Sequence, residues 1–277
     1  MLKMARAVIL ITVIFILAIS CNTNPPVSPN ITPTGNVELN IQVDNSDRIL
    51  TAAKLVLIED FANVSCIPCV ASNKVIETVS QSYGPTKLAV IKFPTNFPSP
   101  SDPFYLASKE VCDARMSYYN IIAAPTTILD GITRLYSLSD TTTLKSAVDI
   151  KLSASPRFGI TVSSNFEGDY IINASINMID TNGINLSDLI IHCVVTETDI
   201  EFETPPGSNG ETKFYDVTRL MLPTKEGTTV RQLINQSQLS YQFEDALLSG
   251  WNLEKINTVV YIQNLATKEV YQASITF

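Results

Sequence analysis

Two cysteines that lie two residues apart, Cys66 and Cys69, constrain the fold of this chain more than any other feature. They follow an apolar run, residues 55–58, which is typical of a strand buried on both faces of a parallel sheet. After them, apolar residues recur at helical spacing as far as Gly84, and Pro68 suits the first turn of a helix, where its missing N–H is not needed. The sequence therefore predicts a strand, the cysteine pair, and a helix that begins at the pair.

This placement predicts the chemistry of the two sulfurs. Free amides and partial positive charge at a helix N-terminus stabilise a thiolate, so we expect Cys66 to ionise readily and attack, and Cys69 to resolve. A static disulfide is one alternative and a zinc site is another. Zinc needs four ligands, and the other candidates are isolated by long spacings: Cys112, Cys193 and His192. Copper held by two sulfurs ranks last because no His or Met cluster is near, and we expect no metal and no cofactor.

The N-terminus is typical of a bacterial secretory signal. Lys3 and Arg6 precede an apolar stretch, residues 7–19, that is shorter than the roughly 20 residues of a spanning helix, which leaves a membrane anchor as the less favoured alternative. The segment "LAISC" resembles the lipobox, in which the cysteine is lipidated and becomes the first mature residue. We therefore expect a lipid on Cys21, and Asn22 after it favours the outer membrane. An ordinary signal peptidase would cut at the same bond.

The predicted signal leads us to expect the mature chain outside the cytoplasm, and its charge argues against binding to nucleic acids. Residues 21–36 carry four prolines and no charge, which predicts an extended tether. Loss of residues 1–20 removes two positive charges and no acid, so the net charge changes from −8 to −10. An acidic body without basic clusters is a poor nucleic-acid binder. In the envelope, by contrast, disulfides persist.

Three further features recur in a fixed order around the cysteine pair. Asp60 precedes Cys66 by six residues, Lys92 interrupts the otherwise apolar run "KLAVIKF", and the segment "YYNIIAAPTTILDG" contains Pro125. In this order they resemble the thioredoxin family. The resemblance implies that Asp60 is a buried carboxylate with Lys92 as its partner. It also implies that Pro125, preceded by Ala124, is a cis-proline packed against the disulfide.

The same resemblance implies a substrate class. Protein disulfides or thiols would bind in a groove beside Ala124, Pro125, Ile67 and Pro68, and an unidentified redox partner would recycle the pair. The proline between the cysteines resembles reducing rather than oxidising members of the family. The sequence differs from thioredoxins in two respects: the tryptophan that they place before the first cysteine is missing, and Ile67 replaces their glycine.

Each of these features also has an ordinary structural interpretation. Asp60 is compatible with a cap or an exposed strand end, Lys92 with a side chain that extends to solvent, and Pro125 with a trans turn. The proline-rich loop at residues 94–104 is a binding element or an indifferent surface loop. For Cys112 and Cys193 we predict inert thiols in the core, with a bond between them as the alternative. His192 is predicted to be structural.

The second half of the chain has a different texture. After Pro156, short β-branched segments are separated by turns such as "DTNG" and "PPGSNG", which predicts an antiparallel sandwich. We therefore predict an α/β thioredoxin-like domain over residues 37–155, followed by an all-β, immunoglobulin-like sandwich over residues 156–277.

This layout, with "VLIEDFANVSCIPC", "YDVTRLMLP" and "VVYIQNLATKEVYQA", resembles the twenty-eight-kilodalton outer-membrane protein family of envelope lipoproteins. The resemblance implies a lipid-anchored protein in the outer membrane of a Gram-negative bacterium. We predict a thiol-disulfide oxidoreductase that acts through Cys66 and Cys69, with reduction favoured. The rival hypothesis is a non-catalytic interaction lipoprotein whose Cys66–Cys69 bond is static.

Overall fold

The structure is a computed structural model that describes residues 53–166, 170–230, 240–243 and 251–277. The predicted signal at residues 1–20, the tether at residues 21–36 and the lipidation site Cys21 lie outside the described residues. The helices are α1 (Ile67–Tyr83), α2 (Pro103–Ala107), α3 (Lys109–Tyr119) and α4 (Thr141–Leu152). The strands are β1 (Val56–Ala62), β2 (Leu88–Pro94), β3 (Thr126–Leu129), β4 (Thr133–Tyr136), β5 (Phe158–Phe166), β6 (Tyr170–Met178), β7 (Leu189–Glu197), β8 (Ile200–Glu201), β9 (Lys213–Phe214), β10 (Val217–Leu222), β11 (Thr228–Thr229), β12 (Ser240–Phe243), β13 (Ile256–Asn264) and β14 (Val270–Ile275).

The first half of the chain forms a compact α/β unit. Strand β1 pairs in parallel with β2 and antiparallel with β3, which in turn pairs with β4. Helix α1 makes the crossover between β1 and β2, and α4 follows the β3–β4 hairpin. A βαβ unit that is followed by an antiparallel hairpin and a helix is the arrangement that the thioredoxin resemblance implies.

The predicted immunoglobulin-like sandwich is not confirmed. Strand β10 pairs in parallel with β2, so the first sheet continues through β7 and β13 to β14. Strands β5, β6 and β12 form a separate three-stranded sheet, and β8 pairs with β9. Alternating β-branched residues predict that a segment is a strand, but they do not specify which strand it pairs with.

Side chains on the two faces of the main sheet belong to different cores. Val56 and Ile58 of β1 pack on α1 and α4. On the opposite face, Leu57 and Phe61 share a core with α3, β7, β10, β13 and β14. The other face of β7 packs on the three-stranded sheet. None of the helices in the described ranges is long and apolar enough to cross a membrane.

Candidate functional site

The cysteine pair lies where the sequence predicts, at the start of α1. Cys66 is the N-cap residue and Pro68 lies in the first turn. Cys66 and Cys69 form a disulfide whose Cα atoms are 5.3 Å apart. The turn is held by the Cys66 amide, which donates to the Asn63 carbonyl at 2.9 Å, and by the Cys69 amide, which donates to the Cys66 carbonyl at 3.1 Å. The sulfurs therefore occupy the end of the helix that favours a thiolate.

The disulfide is buried but lies next to exposed apolar side chains. Cys66 is 2% exposed and Cys69 is fully buried, and both pack against Ala62 and Ala124. The Ala124–Pro125 peptide bond is cis, as the resemblance implies, and Pro125 is buried. Ile67 is 71% exposed between the two cysteines, and Pro68 is also exposed. The residues predicted to form a substrate groove thus surround the disulfide in the structure.

A buried polar row crosses three strands beneath α1. Asp60 is the register partner of Lys92 on β2 and of Thr127 on β3. Alternation along β1 places Asp60 on the same face as Ile58, which packs on α1, and Ala62, which contacts the cysteines. The predicted carboxylate and lysine therefore lie together on the helix-facing side of the sheet, next to the cysteine end of α1.

The Asp60 carboxylate is fully buried and incompletely paired. Thr127 Oγ1 donates to its Oδ1 at 3.1 Å, and Lys92 Nζ lies 3.9 Å from its Oδ2. Within the described part of the chain, Oδ2 accepts no hydrogen bond. Burial raises the pKa of Asp60, while Lys92 and Thr127 lower it and the nearby Glu211 raises it further. A carboxyl group whose pKa is raised in this way binds a proton more tightly than an exposed one, which suits it to accept a proton from a neighbouring thiol.

Sequence reasoning missed two polar residues of the site, Asn73 and Glu211. Lys92 Nζ donates to Asn73 Oδ1 at 2.8 Å, and Asn73 Nδ2 lies 2.9 and 3.0 Å from the two carboxylate oxygens of Glu211. Asn73 lies on α1, two turns after Cys66 and about one turn after Cys69. Glu211 comes from a loop in the other half of the chain, and no spacing or motif in the sequence relates it to the pair.

This loop, residues 202–212, connects β8 to β9 and lies against the backbone that leads into Cys66; we call it the site loop. The Asn209 amide donates to the Val64 carbonyl at 3.1 Å, and Asn209 Nδ2 lies 3.4 Å from the Cys66 carbonyl. Gly207 lies so close that a Cβ there would be 2.2 Å from the Val64 carbonyl oxygen. The "PPGSNG" segment, predicted as a simple turn, thus covers the backbone that leads into Cys66.

The proline-rich loop at residues 94–104 also meets the site. Its Asp102 caps α2 by accepting from the Phe104 and Tyr105 amides at 2.8 and 3.1 Å, and it accepts from the Val64 amide at 2.8 Å. Burial raises the pKa of Asp102 against these three hydrogen bonds. A narrow cleft with a cavity volume of only about 10 Å³ lies here, lined in part by Asn63, Asn73, Lys92, Asp102 and Glu211.

The remaining candidate residues lie away from the disulfide. Cys112 and Cys193 are free and buried, so the alternative bond between them is absent and their predicted place in the core is confirmed. His192 is buried with its ring 5.0 Å from that of Tyr261, and burial holds its pKa well below the ordinary value. Among the residues that the structure describes, no group of three or more His, Cys, Asp or Glu is placed to hold a metal ion.

Comparisons with known proteins support the fold. No protein-family model and no curated protein matches the chain. Among solved structures it is similar to HBP35 of Porphyromonas gingivalis, with a TM-score of 0.62 at 10% identity, covering 81% of this chain and 75% of that chain. It is also similar to protein AGR_C_4864 from Agrobacterium tumefaciens, with a TM-score of 0.53 at 16% identity, covering 80% of this chain and 93% of that one.

A third solved structure, the thioredoxin-like superfamily protein SPOA0173, covers 45% of this chain and 98% of its own at 16% identity. Its TM-score is 0.30. The first two similarities concern the fold alone. Together with the strand order around the disulfide, they support a thioredoxin-like scaffold, whereas the twenty-eight-kilodalton outer-membrane protein family is not confirmed.

Proposed function

We propose that this chain is a thiol-disulfide oxidoreductase of the cell envelope, in which Cys66 and Cys69 alternate between a disulfide and a dithiol. Its substrates are protein disulfides, which it reduces, and a separate redox partner returns it to the dithiol. This direction is inferred from the proline between the cysteines. Fold alone does not fix function, so the proposal depends on the residues around the disulfide.

One observation carries the proposal: a fully buried, incompletely paired carboxylate, Asp60, lies on the sheet face that holds the disulfide. Burying a carboxylate without full pairing destabilises a fold by several kcal/mol or raises the pKa of the group. A static disulfide needs no such group. A resolving thiol needs a base, and a buried carboxyl with a raised pKa is suited to that task.

The reaction proceeds in two exchanges. The Cys66 thiolate attacks one sulfur of the substrate disulfide, which forms a mixed disulfide and releases the first substrate thiolate. Cys69 then loses its proton to the Asp60 carboxylate and attacks Cys66 Sγ, which forms the Cys66–Cys69 bond and releases the second substrate thiolate. Two electrons pass from the protein to the substrate. The cis-proline Pro125 and the exposed Ile67 border the position of the incoming disulfide.

The burial of Cys66 favours a second candidate function. A sulfur that is only 2% exposed beneath the site loop is also what a structural bond would show. In that case the chain is an interaction lipoprotein that uses a thioredoxin-like scaffold. The reduction potential separates the two, because exchanging pairs lie at roughly −120 to −270 mV and structural bonds below about −300 mV.

The deciding experiment equilibrates the full chain with dithiol buffers of known potential and quantifies the Cys66 and Cys69 peptides by alkylation and mass spectrometry. A potential in the exchanging range supports the oxidoreductase, and one below about −300 mV would replace it with the interaction lipoprotein. In a second assay, Cys66→Ser should abolish the reduction of insulin. Cys69→Ser should accumulate a mixed disulfide with its substrates.

The location is part of the proposal. We propose that Cys21 is lipidated and that residues 21–36 tether the folded body to the outer membrane of a Gram-negative bacterium. In cells labelled with a fatty acid, the wild-type chain should carry the label and fractionate with the outer membrane. Cys21→Ala should lose the label, and a labelled Cys21→Ala chain would contradict the assignment.

A further inference from the structure

We propose that Glu211 of the site loop is a positioning residue of the redox centre: it holds Asn73, and through Asn73 it fixes Lys92 beside Asp60. The inference rests on the proposed function, because it concerns the group that takes the Cys69 proton. It assigns a role in the chemistry to the second half of the chain, whereas the cysteines, Asp60 and Lys92 lie in the first.

The geometry is a continuous chain of polar contacts. Asn73 has one amide nitrogen and one amide oxygen to offer, and Glu211 and Lys92 use them separately. Its nitrogen lies within 3.0 Å of both Glu211 oxygens, and its oxygen accepts from Lys92 Nζ at 2.8 Å. Because a carboxylate only accepts hydrogen bonds, Glu211 fixes which end of the Asn73 amide faces Lys92.

Glu211 is itself held in place by its own loop. Its amide donates to Asn209 Oδ1 at 2.9 Å, and Asn209 Nδ2 donates to Glu211 Oε2 at 2.6 Å. The same Asn209 nitrogen lies 3.4 Å from the Cys66 carbonyl. The contact that closes the site loop over the disulfide is therefore continuous with the contact that orients Lys92.

Lys92 needs this orientation because several acids compete for it. Its ammonium is the cation that lowers the pKa of three carboxyl groups on different elements: the buried Asp60 on β1, the buried Asp102 at the N-cap of α2, and the half-buried Asp216 just before β10. Burial nevertheless raises the pKa of Asp216 to about 6. The hydrogen bond to Asn73 directs the ammonium, and the charge of Glu211 raises the pKa of Asp60.

The test uses the full chain, reduced, and mixed with excess 5,5′-dithiobis(2-nitrobenzoate), which releases a coloured thiolate at each step. Cys66 attack releases the first equivalent. Cys69 then transfers its proton to Asp60 and displaces the second, in a phase whose rate does not depend on reagent concentration. The rate of this second phase is measured from pH 5 to pH 9 for the wild-type chain and three variants.

Glu211→Gln keeps an acceptor for Asn73 but removes the charge, so the midpoint of the pH profile should move to lower pH by about half a unit or more. Glu211→Ala removes both the acceptor and the charge. In addition to the shifted midpoint, it should lower the plateau rate of the second phase about 2- to 10-fold, the rate equivalent of one hydrogen bond. Glu203→Gln removes an exposed charge from the same loop and should match the wild type.

Each result has one meaning. A shifted midpoint in Glu211→Gln with an unchanged Glu203→Gln supports the inference. Unchanged profiles in both Glu211 variants, or an equal shift in Glu203→Gln, overturn it while the oxidoreductase stands. If the wild-type chain never releases the second equivalent, the exchange reaction fails and this inference fails with it.

Discussion

At the scale of single residues, two neighbouring acids of β1 differ in how completely their carboxylates are paired. Glu59 and Asp60 are both fully buried, on opposite faces of the strand. Glu59 accepts from Arg115 Nε at 3.0 Å and also from Arg115 Nη2 and the Tyr119 hydroxyl. Asp60 has only Thr127 and the more distant Lys92. The pairing of Glu59 is typical of a structural ion pair, and the weaker pairing of Asp60 leaves its proton available for chemistry.

Asp60→Asn should therefore stabilise the fold at neutral pH. Burial raises the pKa of Asp60 in the folded state above its ordinary value of 3.8. Above pH 3.8 the folded chain therefore holds a proton that the unfolded chain has lost, so the stability of the wild-type chain falls as the pH rises. Asparagine does not titrate, so the variant lacks this fall. We expect the free energy of unfolding at pH 7 to rise by about 1–3 kcal/mol, with no difference near pH 3.8.

Urea denaturation at several pH values between 4 and 8 measures this difference. Glu59→Gln is the matched control on the same strand: it leaves Arg115 as an unpaired buried charge and should lower stability by about 3–5 kcal/mol. If Asp60→Asn were instead less stable than the wild type at pH 7, Asp60 would be a structural group and the base assigned to Cys69 would be lost.

The sequence predicted some residues of the site and not others, for a physical reason. The predicted residues belong to one βαβ unit and to the hairpin that follows α2 and α3, so the order of these elements along the chain determines which residues become neighbours: Asp60, Cys66, Cys69, Lys92 and Pro125. Asn73 and Glu211 meet through a contact across 138 residues. Nothing local in the sequence encodes such a contact, and their roles stay predictions until the kinetic test is made.

At the scale of elements, the site loop packs against the segment that leads into Cys66. It is held to the segment before Cys66 by two backbone amides, those of Ser208 and Asn209, which donate to Ser65 Oγ and the Val64 carbonyl. A glycine at position 207 permits this contact, because any side chain there would overlap the Val64 backbone. We therefore expect that the protein disulfides proposed as substrates reach the sulfurs only when these contacts are released.

Gly207→Ala should weaken the closed position of the loop. A Cβ at this position would lie 2.2 Å from the Val64 carbonyl oxygen and 2.5 Å from both its carbonyl carbon and its Cγ2, so the backbone itself must shift to make room. We expect dithiothreitol to reduce the Cys66–Cys69 bond at least several times faster in the variant. Ser208→Ala, which keeps the backbone amide, serves as the control. Equal rates in all three chains would show that the loop does not limit access.

Elements were predicted more reliably than their pairing. The segments that alternate after Pro156 are strands in the structure, including β6, β7, β10, β13 and β14. The helical segment around Cys112 is divided into α2 and α3 by a break at Ser108, whose hydroxyl donates to the carbonyls of Thr218 and Arg219. The break depends on β10, more than 100 residues away, and no local pattern announces it.

At the scale of the whole molecule, the two halves share a sheet and a core. The backbone of Lys92 in β2 bonds to the β10 segment, with its amide donating to the Asp216 carbonyl and its carbonyl accepting from Thr218 Oγ1, each at 2.8 Å. One apolar cluster joins Phe61 and Phe93 to Val194 and Tyr261. The boundary predicted between residues 155 and 156 therefore separates stretches of sequence that bury each other's side chains.

A buried polar cluster reinforces this junction. Arg115 of α3 bonds to Glu59 of β1, and its guanidinium lies 3.4 Å from Gln263 Oε1 of β13. The amide nitrogen of Gln263 donates to the Tyr119 hydroxyl at 2.8 Å. Each partner is fully desolvated, so losing one of them leaves buried polar groups unpaired in both halves.

We therefore expect the two halves to unfold as one unit. Arg115→Met leaves Glu59 buried and unpaired, and should lower the free energy of unfolding by about 3–5 kcal/mol in both halves. Lys109→Met is the control on the same helix: its pair with Asp113 is exposed at the surface, and its loss should change stability by less than about 1 kcal/mol.

Hydrogen exchange in increasing urea distinguishes unfolding as one unit from the unfolding of two independent domains. Peptides from β1 and β2 report on one half, and peptides from β7 and β13 report on the other. In the wild-type chain both sets of peptides should lose protection at one urea concentration, because the shared core cannot remain buried when either half opens. For the same reason, Arg115→Met should lower both midpoints together. Two separate midpoints, with only the β1 and β2 peptides responding to Arg115→Met, would instead support folding domains divided at residues 155 and 156.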